Sequence, residues 1–236
     1  KQLDGRAAVQ IMKNYYAAYS PVGMPGGAEA FKQLQEDVHR FVEEGPDKPF
    51  IDVWFENELT GYVVGCFNFI FKTTDGGKNW IPWFDRTDNP RRLHFNAIHA
   101  VDGDIYLAGE QGMVLRLDKA AMRFRATPVD YKGTFFGLTD NGSSVFAFGL
   151  RGNLFRSDDR GVHWQKVDTG ITAAITAEAR TNDGRIVLVS ESGHVLLSTD
   201  GGKTFNQVRV DRVPTSDVIA LAPGGIVTVG ARGVHV

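Results

Sequence analysis

Lys72-Thr73-Thr74-Asp75-Gly76-Gly77-Lys78-Asn79-Trp80 sets a hydroxyl, an Asp, a Gly and an aromatic ring at fixed offsets. The same offsets return in Ser157-Asp158-Asp159-Arg160-Gly161-Val162-His163-Trp164 and in Ser198-Thr199-Asp200-Gly201-Gly202-Lys203-Thr204-Phe205. The three copies align without gaps, and Leu117 to Phe124 fits as a degraded copy that keeps only the terminal ring. Self-similarity of this kind marks a repeat architecture.

A second series fixes the period. Gly109-Glu110-Gln111-Gly112, Gly149-Leu150-Arg151-Gly152, Ser190-Glu191-Ser192-Gly193 and Gly230-Ala231-Arg232-Gly233 each sit between two apolar runs, and Gly65-Cys66-Phe67-Asn68 is the first member. Asn and Gly both tolerate positive φ, so Asn68 preserves the turn. The five anchors recur every 40 to 44 residues. Several short strands in a period of about 40 to 50 residues predict the four-stranded blades of a β-propeller.

Each box reads as a structural hairpin. Side-chain oxygens of Thr73 and Asp75, Ser157 and Asp159, and Ser198 and Asp200 are placed to accept backbone N–H groups. Gly77, Gly161 and Gly202 take the unfavourable φ, and Trp80, Trp164 and Phe205 anchor the next strand. A calcium loop would need further carboxylates and a distant Glu, which the boxes lack. No metal or cofactor site is predicted.

With 236 residues, 42% of them hydrophobic, and 27 Gly, the chain reads as a turn-rich globular protein. A net charge of −2 gives no global field for nucleic acid or an anionic membrane. No apolar run of about 18 residues suggests membrane insertion. The lone Cys66 leaves the redox compartment open. Lys1-Gln2-Leu3-Asp4 has neither a start Met nor the form of a signal peptide, so a processed or partial chain is expected.

Residues 1–48 differ from the rest. Ala7, Ala8, Ile11, Met12, Tyr15 and Tyr16, then Phe31, Leu34, Val38, Phe41 and Val42, predict two amphipathic helices around the breaker Ser20-Pro21-Val22-Gly23-Met24-Pro25-Gly26-Gly27. This helical hairpin reads as an insertion between blades that packs on the propeller side, or as a docking element for a partner. Blades are expected over 49–92, 93–133, 134–171 and 172–214, with 215–236 stopping after a third strand. Because propellers close to hide their edges, the reading is a ring of about seven blades completed by upstream blades or a partner strand.

The order Gly61-Tyr62-Val63-Val64-Gly65, then Ile70-Phe71 and the box from Lys72 to Trp80, resembles the photosystem II stability/assembly factor family of Asp-box (BNR-repeat) propellers over Phe50 to Val236. Leu93-His94-Phe95-Asn96-Ala97-Ile98 and Tyr131-Lys132-Gly133-Thr134-Phe135-Phe136-Gly137 look like its non-photosynthetic bacterial branch. That likeness implies a non-enzymatic scaffold outside the cytoplasm, in the periplasm or another extracytoplasmic space. It also implies an assembly or accessory role for a membrane protein complex, with an RND-type (resistance-nodulation-division) transporter as the partner. The helical segment and the degraded second box depart from the family pattern.

Strand order places the Gly-x-x-Gly turns and the links into each new inner strand on one face, opposite the boxes. Arg86, Arg91, Arg92, His94, Glu110, Tyr131, Lys132, Arg151, Glu191, Asp211, Arg212 and Arg232 fall there, as a mixed-charge partner-binding face or as solvated loop charges. A glycoside hydrolase is the enzyme alternative. It would need paired carboxylates, for which Glu110 and Glu191 are the candidates, and the Arg-Ile-Pro element expected of a sialidase is missing. A lectin lined by Trp54, Trp83, Phe135 and Phe136 is the third reading, against which blade core is the plainer role for such rings.

Overall fold

The computed structural model describes residues 3–19, 26–210, 213–222 and 225–235. Of the expected breaker from Ser20 to Gly27, residues 20–25 lie outside them. The chain divides into two compact units, Lys1–Ile98 with Lys119–Arg123, and His99–Asp118 with Phe124–Val236.

Two helices come first. α1 (Gly5–Ala17) opens where Asp4 accepts the Ala7 N–H at 2.8 Å, and α2 (Gly27–Glu44) follows Gly26 and stops at Gly45, both glycines with positive φ. Such caps satisfy or end the orphan backbone groups of a helix. Their apolar stripes, Ala8, Met12 and Tyr16 on α1 and Leu34, Val38 and Phe41 on α2, form one core with Phe69, Phe71 and Phe84. The hairpin is therefore packed on the first sheet of its unit.

The rest is antiparallel sheet. β1 (Phe50–Phe55), β2 (Gly61–Gly65), β3 (Ile70–Thr73) and β4 (Ile81–Pro82) form a meander in chain order. β5 (Phe95–Val101), β6 (Asp104–Gly109), β7 (Val114–Asp118) and β8 (Arg123–Ala126) repeat it, as do β9 (Phe135–Asp140), β10 (Val145–Gly149), β11 (Leu154–Ser157) and β12 (Gln165–Val167). β13 (Ile175–Arg180), β14 (Ile186–Ser190), β15 (His194–Ser198) and β16 (Asn206–Val210) make a further four-stranded sheet, and β17 (Thr215–Leu221), β18 (Gly225–Gly230) and β19 (Gly233–His235) a three-stranded one. The middle strands β2, β6, β10 and β14 are buried at every residue, which is why they read as unbroken apolar runs.

The anchors are small because backbone passes over them. A Cβ on Gly65, Gly149 or Gly230 would lie 2.3, 2.3 or 2.0 Å from the carbonyl oxygen of Pro49, Thr134 or Pro214, the residue entering the inner strand. Two residues beyond each of the first three anchors, Phe67, Gln111 and Arg151 adopt positive φ, followed by Asn68, Gly112 and Gly152. Asn68 thus takes the conformation expected of it, at φ 67°.

The boxes close hairpins between β3 and β4, β11 and β12, and β15 and β16. In each, the buried hydroxyl of Thr73, Ser157 or Ser198 accepts the N–H of Gly77, Gly161 or Gly202 at 2.8–2.9 Å and donates to the box Asp at 2.8–2.9 Å. The Asp accepts the backbone N–H of Asn79, His163 or Thr204, whose own side chain reaches the second carboxylate oxygen at 2.6–2.7 Å. Three chemically different side chains do one job. Backbone donation to the carboxylate, led by Asn79 and by His163, holds Asp75 and Asp159 down to about 2.

Candidate protein-binding face

Within the first unit, the link from β4 to β5 is built on a buried polar knot. Asn68, fully enclosed, donates to the Phe84 carbonyl at 2.8 Å and accepts from the Thr87 hydroxyl at 2.8 Å and the Asn89 amide at 3.0 Å. Asn89 in turn bonds both the N–H and the carbonyl of Leu93. Arg123 clamps the same link, donating to the carbonyls of Asp85 and Thr87 and to the Asp88 carboxylate.

This knot sorts the expected face residues. Arg92 turns inward: its Nε lies 2.9 Å from Asp37 of α2, and its guanidinium sits 4.3 Å from the centre of the Phe84 ring. Arg86 covers Trp83 at 5.1 Å, and the His94 ring meets Phe67 edge-on at 4.5 Å. Arg91 is the exposed member. Arg92 is therefore a structural tie to the helical hairpin rather than a free docking charge.

Within the second unit, the turns and links do lie side by side. The Gly112 N–H donates to the Gly133 carbonyl at 2.6 Å, and the Tyr131 hydroxyl to the Leu150 carbonyl at 3.0 Å. Tyr131 is wedged between Phe135 and Phe155, with ring centres 4.9 and 5.2 Å away. Around it, Lys132 and Arg151 are exposed, together with the apolar Phe136 and Leu150. Glu110 is half-buried in its turn, and Arg232 is exposed on the β18–β19 turn. Glu191 is exposed but commits an oxygen to the Ala174 N–H at 3.0 Å, bracing its own turn. Asp211 and Arg212 lie outside the described residues.

The rings considered for a glycan pocket divide differently. Trp83 and Phe135 are core, Trp54 is half-buried, and Phe136 alone is open. Among the described residues no group of three or more His, Cys, Asp or Glu side chains could hold a metal ion, and no helix is long and apolar enough to cross a membrane.

One polar cluster escaped the sequence reading. Asp140 on β9 accepts from His99 Nε2 of β5 at 2.8 Å, Arg180 Nη1 of β13 at 2.5 Å and the Gly142 N–H. Burial opposes its charge, but the bonds from His99 and Gly142 and the charge of Arg180 hold its carboxyl below the usual range. Beside it Glu178 accepts from the Thr139 hydroxyl at 2.8 Å, and burial pushes its carboxyl up. Aligning the inner strands from Phe95, Phe135, Ile175 and Thr215 would have exposed Glu178, because Ile98, Leu138 and Val218 occupy the same offset.

Comparison with known proteins fits this architecture. The chain is 26% identical over 195 residues to the photosystem II assembly lipoprotein Ycf48 of Synechococcus sp. (strain CC9902), covering 79% of this chain and 57% of that protein. It is 24% identical over 211 residues to the chloroplastic photosystem II stability/assembly factor HCF136 of Arabidopsis thaliana, covering 77% and 52%. The chain thus spans about half the length of the curated relatives it matches. Among solved structures, YCF48 bound to D1 peptide superposes with a TM-score of 0.62 at 19% identity, covering 77% of this chain and 60% of that one. YCF48 from Cyanidioschyzon merolae gives 0.60 at 16% identity, covering 79% and 66%. The family model described as photosynthesis system II assembly factor YCF48 matches residues 32–219, and the chain belongs to that family.

Proposed function

We propose that this chain is a non-enzymatic scaffold that assists assembly of a membrane protein complex by holding a segment of one of its subunits. The observation that carries the reading is the loop surface of the second unit, where exposed Lys132 and Arg151 flank exposed Phe136 and Leu150 on a bonded framework of turns. A rigid mixed basic and apolar surface suits an extended protein segment that brings carboxylates and apolar side chains. Family membership supports the same role. The named relatives are assembly factors rather than enzymes, and one solved relative is bound to a D1 peptide.

We further propose that the protein works outside the cytoplasm, in the periplasm or another extracytoplasmic space, as an accessory of an RND-type transporter. A relative named as a lipoprotein supports work at a membrane surface. The sheets are read as blades of a larger closed propeller. Supporting this, Val53 on β1 is 56% exposed, whereas Ile98, Leu138 and Val218 at the same offset of other inner strands are buried.

The test is affinity capture of the chain from gently solubilised membranes with quantitative mass spectrometry. A multi-span membrane protein recovered in near-equal amount is expected. Recovery of the bait alone would overturn the reading.

A further inference from the structure

A cleft of about 360 Å³ lies in the first unit between α1 and the first box, lined by Leu3, Ala7, Gln10, Ile11 and Asn14 on one side and Lys78, Asn79 and Trp80 on the other. Ala7 and Ile11 lie four residues apart on one face of α1 along the cleft, and Leu3, just ahead of the helix, adds to the apolar lining. Gln10 and Asn14 form the adjoining stripe, exposed and bonded to each other, Nε2 of Gln10 to Oδ1 of Asn14 at 2.8 Å. That bond leaves Gln10 an acceptor oxygen and Asn14 two N–H donors. Opposite them, Asn79 gives its amide N–H to Asp75 and keeps its own carbonyl oxygen. Trp80 is fixed by its indole N–H on the Gly77 carbonyl at 3.1 Å and by an edge contact with Phe55.

We propose that this cleft binds a short extended peptide. A neighbouring amide acceptor and amide donor match the N–H and C=O that one extended residue offers from its backbone. The apolar stripe and Trp80 take the alternate side chains, and the Lys78 ammonium takes a carboxylate of the peptide. The volume suits two or three residues rather than a folded partner. Among the described residues of the first unit, α1 packs against β4, the strand that follows this box, so the site belongs to the pairing of this box with the helical hairpin. It is independent of the loop surface proposed above.

The test is a titration of the ¹⁵N-labelled whole chain with acetylated Val-Ser-Val-Ser-Val carrying a free C-terminal carboxylate, and with the same peptide amidated. Saturable shifts of the Trp80 indole and the Gln10 and Asn14 amide resonances are expected, with the amidated form weaker. Gln10→Ala with Asn14→Ala, both on the exposed helix face, should weaken binding about tenfold while amide dispersion stays unchanged. Ala7→Trp should abolish it by filling the cleft. No saturable shift of these resonances would overturn the proposal. So would shifts that survive both variants, or shifts produced by a neutral disaccharide such as maltose and not by the peptide.

Discussion

Glu178 on β13 accepts the Thr139 hydroxyl of β9 at 2.8 Å, at an offset that carries Ile98, Leu138 and Val218 in other inner strands. A carboxyl has replaced a core aliphatic. His99, Asp140 and Arg180 face it, and burial raises its proton affinity in the folded state. A raised folded-state value means the native form holds the proton more tightly, so stability is lost as pH rises from about 4 through the folded-state value. Glu178→Gln is expected to gain about 1–3 kcal/mol at pH 8, with the gain vanishing near pH 4. Denaturant midpoints across that range would show it, and a pH-independent difference would contradict it.

The Asp37–Arg92 pair predicts the opposite sign. Asp37 is buried, with Arg92 at 2.9 Å and Arg40 at 3.0 Å. Arg92→Ala leaves that carboxylate half-partnered and is expected to cost about 2–4 kcal/mol. Asp37→Leu combined with Arg92→Met should cost less than Arg92→Ala alone, because no buried charge remains uncompensated. Urea unfolding of the single and double variants makes the comparison.

The boxes predict a loss confined to their hydroxyls and carboxylates. Ser157→Ala orphans the buried Gly161 N–H and should cost about 1–3 kcal/mol. Asp159 is held down to about 2, so its contribution is present above the ordinary carboxylate range and lost as pH falls through about 2. Asp159→Ala should therefore lower the melting temperature at pH 7 and match the parent chain near pH 2.

Much of this fold was legible because repeats expose their own rules. The box hydroxyl, Asp and Gly, the Gly anchors and the two amphipathic helices all satisfy local backbone demands, and local demands leave periodic marks. What stayed hidden depends on contacts far along the chain. Asn68 was read as a substitute for Gly, and its φ agrees, yet its side chain binds Phe84, Thr87 and Asn89. Arg92 counted as a surface charge until α2 supplied Asp37.

The same residue gives a discriminating pair of substitutions. Asn68→Gly keeps the turn and removes the buried knot, so a loss of about 2–3 kcal/mol is expected. Gly112→Asn fails for another reason, since a Cβ there would lie 1.9 Å from the Tyr131 carbonyl oxygen. Thermal unfolding of both variants should show destabilisation, and a neutral Asn68→Gly would mean the knot holds nothing.

The most direct measurement is membrane capture by the Lys132→Glu, Arg151→Glu double variant beside the parent chain, with melting temperatures recorded for both. Loss of the captured membrane protein at an unchanged melting temperature is the predicted result. Undiminished capture by the variant would contradict a scaffold that works through this surface.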